Sequence, residues 1–165
     1  MSRYRPPNAS KSPYITPEGK RLLLQEEKSI WLKRREVVAA LSAAAAEGDR
    51  SENAEYIYRK KELRELDRRI RYLQKRIPEL QVVDRRPASG DRVFFGATVT
   101  LEDEEGKSLV YRLVGPDEFD REPRFISIDS PLARALLKRE LGDEVDVELP
   151  AGRQRYSITA IDYAG

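Results

Sequence analysis

Gly48-Asp49-Arg50-Ser51-Glu52-Asn53-Ala54-Glu55-Tyr56 separates two long helical patterns. Upstream, Leu23, Ile30, Val37 and Ala44 recur every seven residues, with Leu41 offset. Downstream, Tyr56, Leu63, Leu66, Ile70, Leu73, Ile77 and Leu80 fall on alternating steps of three and four, and only Arg59 breaks the series. Such spacing lines one stripe of each helix with apolar side chains, the a/d seam of a coiled coil. Gly48 suits the end of the first helix because it takes a left-handed conformation cheaply. The second helix is expected to begin near Ser51. A connection this short makes the helices antiparallel neighbours, and the small side chains of residues 43–46 let them approach closely near the turn. About thirty residues at 1.5 Å rise give a rod roughly 45 Å long.

The hairpin is expected over residues 15–82, with an acidic tip at 48–55. Thr16 is a candidate N-cap, Pro17 suits the first helical position, and Glu18 complements the helix dipole. Pro78 should bend or weaken the last turn. Residues 1–14, with Pro6, Pro7, Pro13, Arg3, Arg5 and Lys11, lack periodicity and read as a flexible basic tail. Residues 83–90 read as a linker, after which the period changes. Strands are expected over 92–101, with a bulge at Gly96, and over 108–114, 125–128, 143–149 and 155–163. Ser130-Pro131 should cap a short helix over 132–141, closed by Gly142. The fold class is therefore α+β: an antiparallel helical hairpin followed by a small sheet-and-helix domain over 91–165.

Composition removes many chemistries. Of 165 residues none is Cys or His, which excludes disulfides, thiolate nucleophiles, Ser-His-Asp catalysis and ordinary zinc sites. No apolar run approaches the roughly 20 residues of a membrane span, and the first residues lack an apolar signal core. A cytoplasmic protein without membrane association is expected. Charged residues reach 36%, against about a quarter in ordinary domains. Residues 1–90 hold 21 Lys/Arg and 13 Asp/Glu, and residues 91–165 hold 10 and 16. The N-terminal half suits a polyanion and the C-terminal half does not.

Two features of the hairpin bear on function. Asp49-x-x-Glu52 before a helix is a capping-box pattern, with Ser51 an alternative cap. The same two carboxylates, if they face outward together, make half a site for a hard cation such as magnesium, which takes one or two protein carboxylates and fills its other positions elsewhere. Residues 59–76 carry nine Lys/Arg against three acids. That excess is either a solvated flank with i,i+4 pairs such as Glu65 with Arg69 or a stripe facing a polyanion. Three acids cannot neutralise nine bases, which favours the stripe. Tyr58 and Tyr72 can stack on bases but fit seam-edge packing better, and Trp31 is expected in the core. An acidic tip repels phosphate while a basic flank attracts it, and a cation held at the tip reconciles the two.

These residues resemble a known family. Gly48 to Tyr56 is similar to the tip motif of the bacterial Gre transcript-cleavage factors. Lys60-Lys61-x-Leu63-Arg64-Glu65-x-Asp67-Arg68-Arg69, Val93-Phe94-Phe95-Gly96-Ala97 and the run from Ile126 to Leu137 resemble the GreB branch in particular. The likeness runs from about Tyr14 to Tyr163 in the family's order. It implies a transcription elongation factor that enters the secondary channel of RNA polymerase and stimulates the polymerase's own cleavage of backtracked nascent RNA. Under it, Asp49 and Glu52 act catalytically inside the polymerase as ligands of a shared Mg2+, supported by Ser51 and Asn53. Arg59, Lys60, Lys61, Arg64, Arg68 and Arg71 are candidate RNA contacts. Asp129, Ser130 and Pro131 match a polymerase-contacting loop, and the C-terminal domain is expected to be FKBP-like. The protein would be no enzyme itself and a monomer. Its intact tip disfavours an inhibitory relative. The alternatives are a coiled-coil nucleic-acid-binding or secondary-channel regulatory protein without cleavage activity, and a prolyl isomerase on the strength of the domain alone.

Overall fold

A computed structural model describes residues 11–47, 53–84, 87–88 and 90–163. The chain divides into two compact units, one of residues 18–80 and one of residues 1–17 with 81–165.

The first unit is the helical hairpin. Helix α1 spans Pro17–Ala45 and helix α2 spans Ala54–Arg76. Gly19, Leu23, Ile30, Val37 and Ala44 are the buried residues of α1. Ile70 and Leu73 of α2 are buried, as are Ile77 and Leu80 beyond it, and Tyr56, Leu63 and Leu66 are half-buried. Each fully buried aliphatic side chain contributes about 2 kcal/mol, and the heptad concentrates that gain on one stripe per helix. Cross-links fix the direction. Asn53 Nδ2 donates to Ala44 O at 2.8 Å, Arg34 Nε to Asp67 Oδ1 at 2.7 Å, and Arg69 Nε to Glu26 Oε2 at 2.7 Å. Partners descend one helix as they ascend the other, so the pair is antiparallel. Pro78 lies in a 3-10 turn, Ile77–Glu79, that follows α2: proline lacks the N–H that another α-helical turn needs.

The second unit is a five-stranded mixed sheet with one short helix. Its strands are β3 Thr98–Asp103, β4 Ser108–Val114, β5 Phe125–Ser127, β6 Glu144–Leu149 and β7 Gly152–Asp162, in the order β5-β4-β3-β7-β6. Only the β4–β5 pair is parallel. Helix α3, Pro131–Leu136, closes the core with Ala133 and Leu136 against Val99, Leu101, Leu113, Val145, Val147 and Ile158.

Three local expectations need correction. The strand expected from residue 92 starts only at Thr98. Gly96, at φ 87°, sits in a turn instead of a bulge, closed by Ala97 N on Phe94 O. The preceding segment pairs elsewhere: Val93 N donates to Arg139 O at 2.9 Å, and Lys138 N to Val93 O at 2.7 Å. The same pairing stops α3 at Leu136, well short of residue 141, with Lys138 at φ 69°. The true bulge is between Thr100 and Leu101, which face Ala160 and Ile158 of β7 and leave Thr159 as the extra residue.

Residues 13–15, at the junction of the expected tail and hairpin, and residues 81–83, at the junction of the expected hairpin and linker, pair with each other in the second unit. Strand β1, Tyr14–Ile15, pairs in parallel with β2, Gln81–Val82. Glu118, 1% exposed, accepts from Thr16 N at 2.9 Å and from Gly115 N at 3.0 Å, and also from the Thr16 hydroxyl. A buried carboxylate without its donors is costly, so this set of bonds holds β1 in place. A Cβ on Gly115 would lie 2.0 Å from Tyr14 O. Gly115→Ala is therefore expected to displace β1. Hydrogen exchange at Gln81 and Val83, whose amides donate to Pro13 O and Ile15 O, should accelerate selectively, while exchange in β3 and β7 stays slow.

Candidate functional site

The hairpin presents two regions of interest, its tip and the outer face of α2. Gly48, Asp49, Arg50, Ser51 and Glu52 lie outside the described residues. Their anchors are described. The last turn of α1 tightens, with Ala46 N donating to both Ser42 O and Ala43 O at 3.2 Å and Glu47 N to Ala44 O at 3.2 Å. Asn53 is the N-cap of α2, its Oδ1 accepting from Tyr56 N at 3.1 Å, while its Nδ2 donates to Ala44 O. One amide thus joins the end of α1 to the start of α2. The second helix begins at Ala54, three residues later than expected near Ser51, because Asn53 supplies the capping oxygen. The Asp49-x-x-Glu52 spacing does not coincide with that helix start, whose N3 residue is Tyr56, so the capping-box reading loses its register.

On α2 the basic residues sort into two groups. Arg59 occupies a seam position, with 28% of its side chain exposed, and binds Glu55 at 2.8 Å and Glu62 at 3.2 Å. The Glu55 hydrogen bond, followed by Glu62, raises its guanidinium above the ordinary arginine value. Arg59 therefore leaves the expected RNA-facing set. Arg69 is held bidentate by Glu26 and stacks on Tyr72, and Arg76 is buried beside Glu79. The other six, Lys60, Lys61, Arg64, Arg68, Arg71 and Lys75, are exposed. At about 100° per residue they fall within an arc of about 100° on the side away from the seam. Lys60 rests near the Tyr56 ring at 5.9 Å. Among the described residues the other five make no ion pair. Lys75 completes this group and was not among the candidates. Its signal, a step of four from Arg71, is plain once the helix register is fixed.

The third candidate set lies in the second unit. Ser130 caps α3 through Oγ, which accepts from Ala133 N at 3.3 Å, and Pro131 takes the first helical position. Asp129 is engaged: its Oδ2 accepts from Ser12 N at 3.0 Å and its other oxygen from the Ser12 hydroxyl. The sequence carried no local sign of this bond or of Glu118, because their partners are 117 and 102 residues away.

An antiparallel two-helix hairpin with an exposed cationic face on its second helix, in one chain with a small α+β unit, defines the class of protein. The particular family follows from two matches. The Transcription elongation factor, GreA/GreB, C-term model covers residues 87–163, and the Transcription elongation factor, N-terminal model covers 13–82. The chain belongs to the GreA/GreB family of transcription elongation factors. It is 58% identical to Transcription elongation factor GreB of Xanthomonas axonopodis pv. citri, over 99% of each chain. It is 56% identical to that of Pseudomonas aeruginosa, over 99% of this chain and 98% of the relative. Among solved structures it is similar to a prokaryotic transcription elongation factor GreA/GreB from Nitrosomonas europaea, at 28% identity and a TM-score of 0.43, over 57% of this chain and 79% of that one.

The Asn53 clasp can be tested directly. Asn53→Ala removes a cap worth about 1 kcal/mol and the shorter of the two hydrogen bonds to Ala44 O, which keeps its Glu47 N donor, so chemical denaturation should show a loss of about 1–2 kcal/mol. Asn53→Asp keeps the cap oxygen but has no donor for Ala44, and should recover only part of that loss.

Proposed function

We propose that this elongation factor inserts its hairpin into the secondary channel of RNA polymerase and brings Asp49 and Glu52 to the active centre. There it stimulates endonucleolytic cleavage of backtracked nascent RNA by the polymerase itself. It works as a monomer in the cytoplasm and is no nuclease alone. The observation that carries this reading is the Asn53 clasp: the helix start is capped by an amide, and the two nearby carboxylates are not needed for that task. Two carboxylates are oxygen donors of the kind magnesium takes, so the donor set fits a Mg2+ shared with the polymerase. Bound there, the ion would supply charge opposite the attacking and leaving oxygens of a phosphodiester. Asp49 and Glu52 would hold it, Ser51 and Asn53 would support their loop, and the cations of α2 would steady the RNA by its phosphates.

Asp129, Ser130 and Pro131 are the proposed polymerase contact. Asp129 also anchors Ser12, so Asp129→Ala combines two losses, whereas Pro131→Ala leaves Ser12 bound and separates them. A second reading, a hairpin that binds nucleic acid without promoting cleavage, draws on the unpaired cations alone.

The experiment is cleavage in stalled, backtracked elongation complexes across magnesium concentrations. Asp49→Ala with Glu52→Ala should return cleavage to the polymerase's unassisted rate while helicity by circular dichroism is unchanged. Persistent stimulation would favour the second reading. Arg64→Glu, Arg68→Glu and Arg71→Glu together should weaken binding of free single-stranded RNA. Three lost phosphate contacts should lower the slope of log affinity against log salt by about 2, with polymerase binding less affected.

A further inference from the structure

The two long sides of the hairpin are chemically unlike. One is crossed by the Arg69–Glu26 bridge and the other by the Arg34–Asp67 bridge. Residues three or four apart are neighbours on a helix surface, so the bridges locate the side chains beside them. Next to Asp67, further from the seam, stand Arg64 and Arg71. Next to Arg34, further from the seam, stands Trp31, 42% exposed and flanked at steps of seven by Leu24 and Val38, 40% and 36% exposed. Trp31 was expected in the core; it lies one position past Ile30, which is the buried residue. Lys28 and Arg35, at i−3 and i+4 from Trp31, are exposed and make no ion pair among the described residues. Because the helices are antiparallel and Arg34 is level with Asp67, Trp31 is level with Ile70, the residue before Arg71, across the hairpin.

From this juxtaposition we infer that the Arg34–Asp67 side is a track for single-stranded RNA, with Trp31 as a base-stacking platform between the cations of α1 and those of α2. The inference rests on the reading that the α2 cations face RNA, and adds the side on which the strand runs and a residue on the other helix. A flat exposed ring stacks on any base, and cations on both flanks engage the phosphates on either side of it. The opposite side suits RNA less well, since its exposed Glu65 makes no ion pair among the described residues and its Arg59 and Arg69 are engaged by Glu62 and Glu26; on the proposed side the acid is Glu27, half-buried one turn from Trp31. At 1.5 Å per residue Trp31 sits about 20 Å from the tip end of α1, far enough that its contact is with RNA already extruded past the tip.

Trp31 is the only tryptophan of the chain, so its emission reports on this position alone. Titration of the full chain with oligoadenylate RNA at low salt should quench that emission, with the midpoint given by anisotropy of the labelled RNA. Trp31→Ala should weaken RNA binding about tenfold without changing the salt slope, Trp31→Phe should retain most of the affinity, and Tyr58→Ala, on the opposite side, should be neutral. Wild-type RNA affinity in Trp31→Ala, with RNA still bound by the α2 cations, would overturn the stacking role alone. Failure of the wild-type chain to bind the RNA would overturn the RNA-facing reading as well. If Trp31→Ala weakened polymerase binding and spared RNA binding, the face would be a protein-docking surface and the inference would fall.

Discussion

A pair of helices has only one line of contact, and that constraint governs the hairpin. Each helix can bury a single stripe, which here runs through Leu23, Ile30, Val37 and Ala44 on one strand of the pair and Ile70, Leu73 and Ile77 on the other. Whatever lies off that line meets solvent or a partner. The exposed cations of α2 and the exposed indole of α1 are both consequences of how little a two-helix structure can enclose. The same geometry explains why Arg59 differs from its basic neighbours. It falls on the line of contact, where a guanidinium must be paired, and Glu55 and Glu62 pair it.

Side-chain bridges then give the hairpin handed sides. A seam alone would leave the two flanks equivalent in shape. Arg34–Asp67 and Arg69–Glu26 each use up one acid and one base, and what remains differs. Among the described residues, one side keeps Arg64, Arg71 and Arg35 beside a single acid, Glu27; the other keeps Glu65, its Glu62 being paired with Arg59. Partly exposed ion pairs like these contribute little stability, about 0–1 kcal/mol each. Their larger effect is to decide which charges stay available to a ligand.

Much of this was legible in the sequence, for reasons that can be named. The seven-residue repeat fixed the seam, since burial at that period has one structural meaning. Strand β6 was legible because a half-buried strand alternates locally, with Val145 and Val147 inward and Glu144, Asp146 and Glu148 outward. Trp31 was misplaced because Leu24, Trp31 and Val38 repeat at the same interval as the seam, one step out of phase, and the period alone does not choose between the two stripes. The ends of α3 and β3 were misjudged because Val93, Lys138 and Arg139 bond across the fold, and propensity does not report on such pairing. Glu118 and Asp129 looked like ordinary surface acids. Their roles depend on Thr16 and Ser12, which only the fold brings near. The tip acids lie outside the described residues, so their reading still rests on sequence and family.

The choice of Asn53 at the tip is itself informative. Serine, aspartate and asparagine all cap a helix with similar strength, so capping alone would not select among them. Ala44 O adds the discriminating demand: beside its bond from Glu47 N it takes a second, shorter one, and that one needs a side-chain donor. An ionised carboxylate has none, and a hydroxyl has one proton on a short reach. Only the amide offers an acceptor for Tyr56 N and a donor for Ala44 O at once. Two helix ends are thereby joined by a neutral side chain, and the joint itself needs no carboxylate. A tip built the other way, with a carboxylate as its clasp, would spend on structure the negative charge that the proposed chemistry requires.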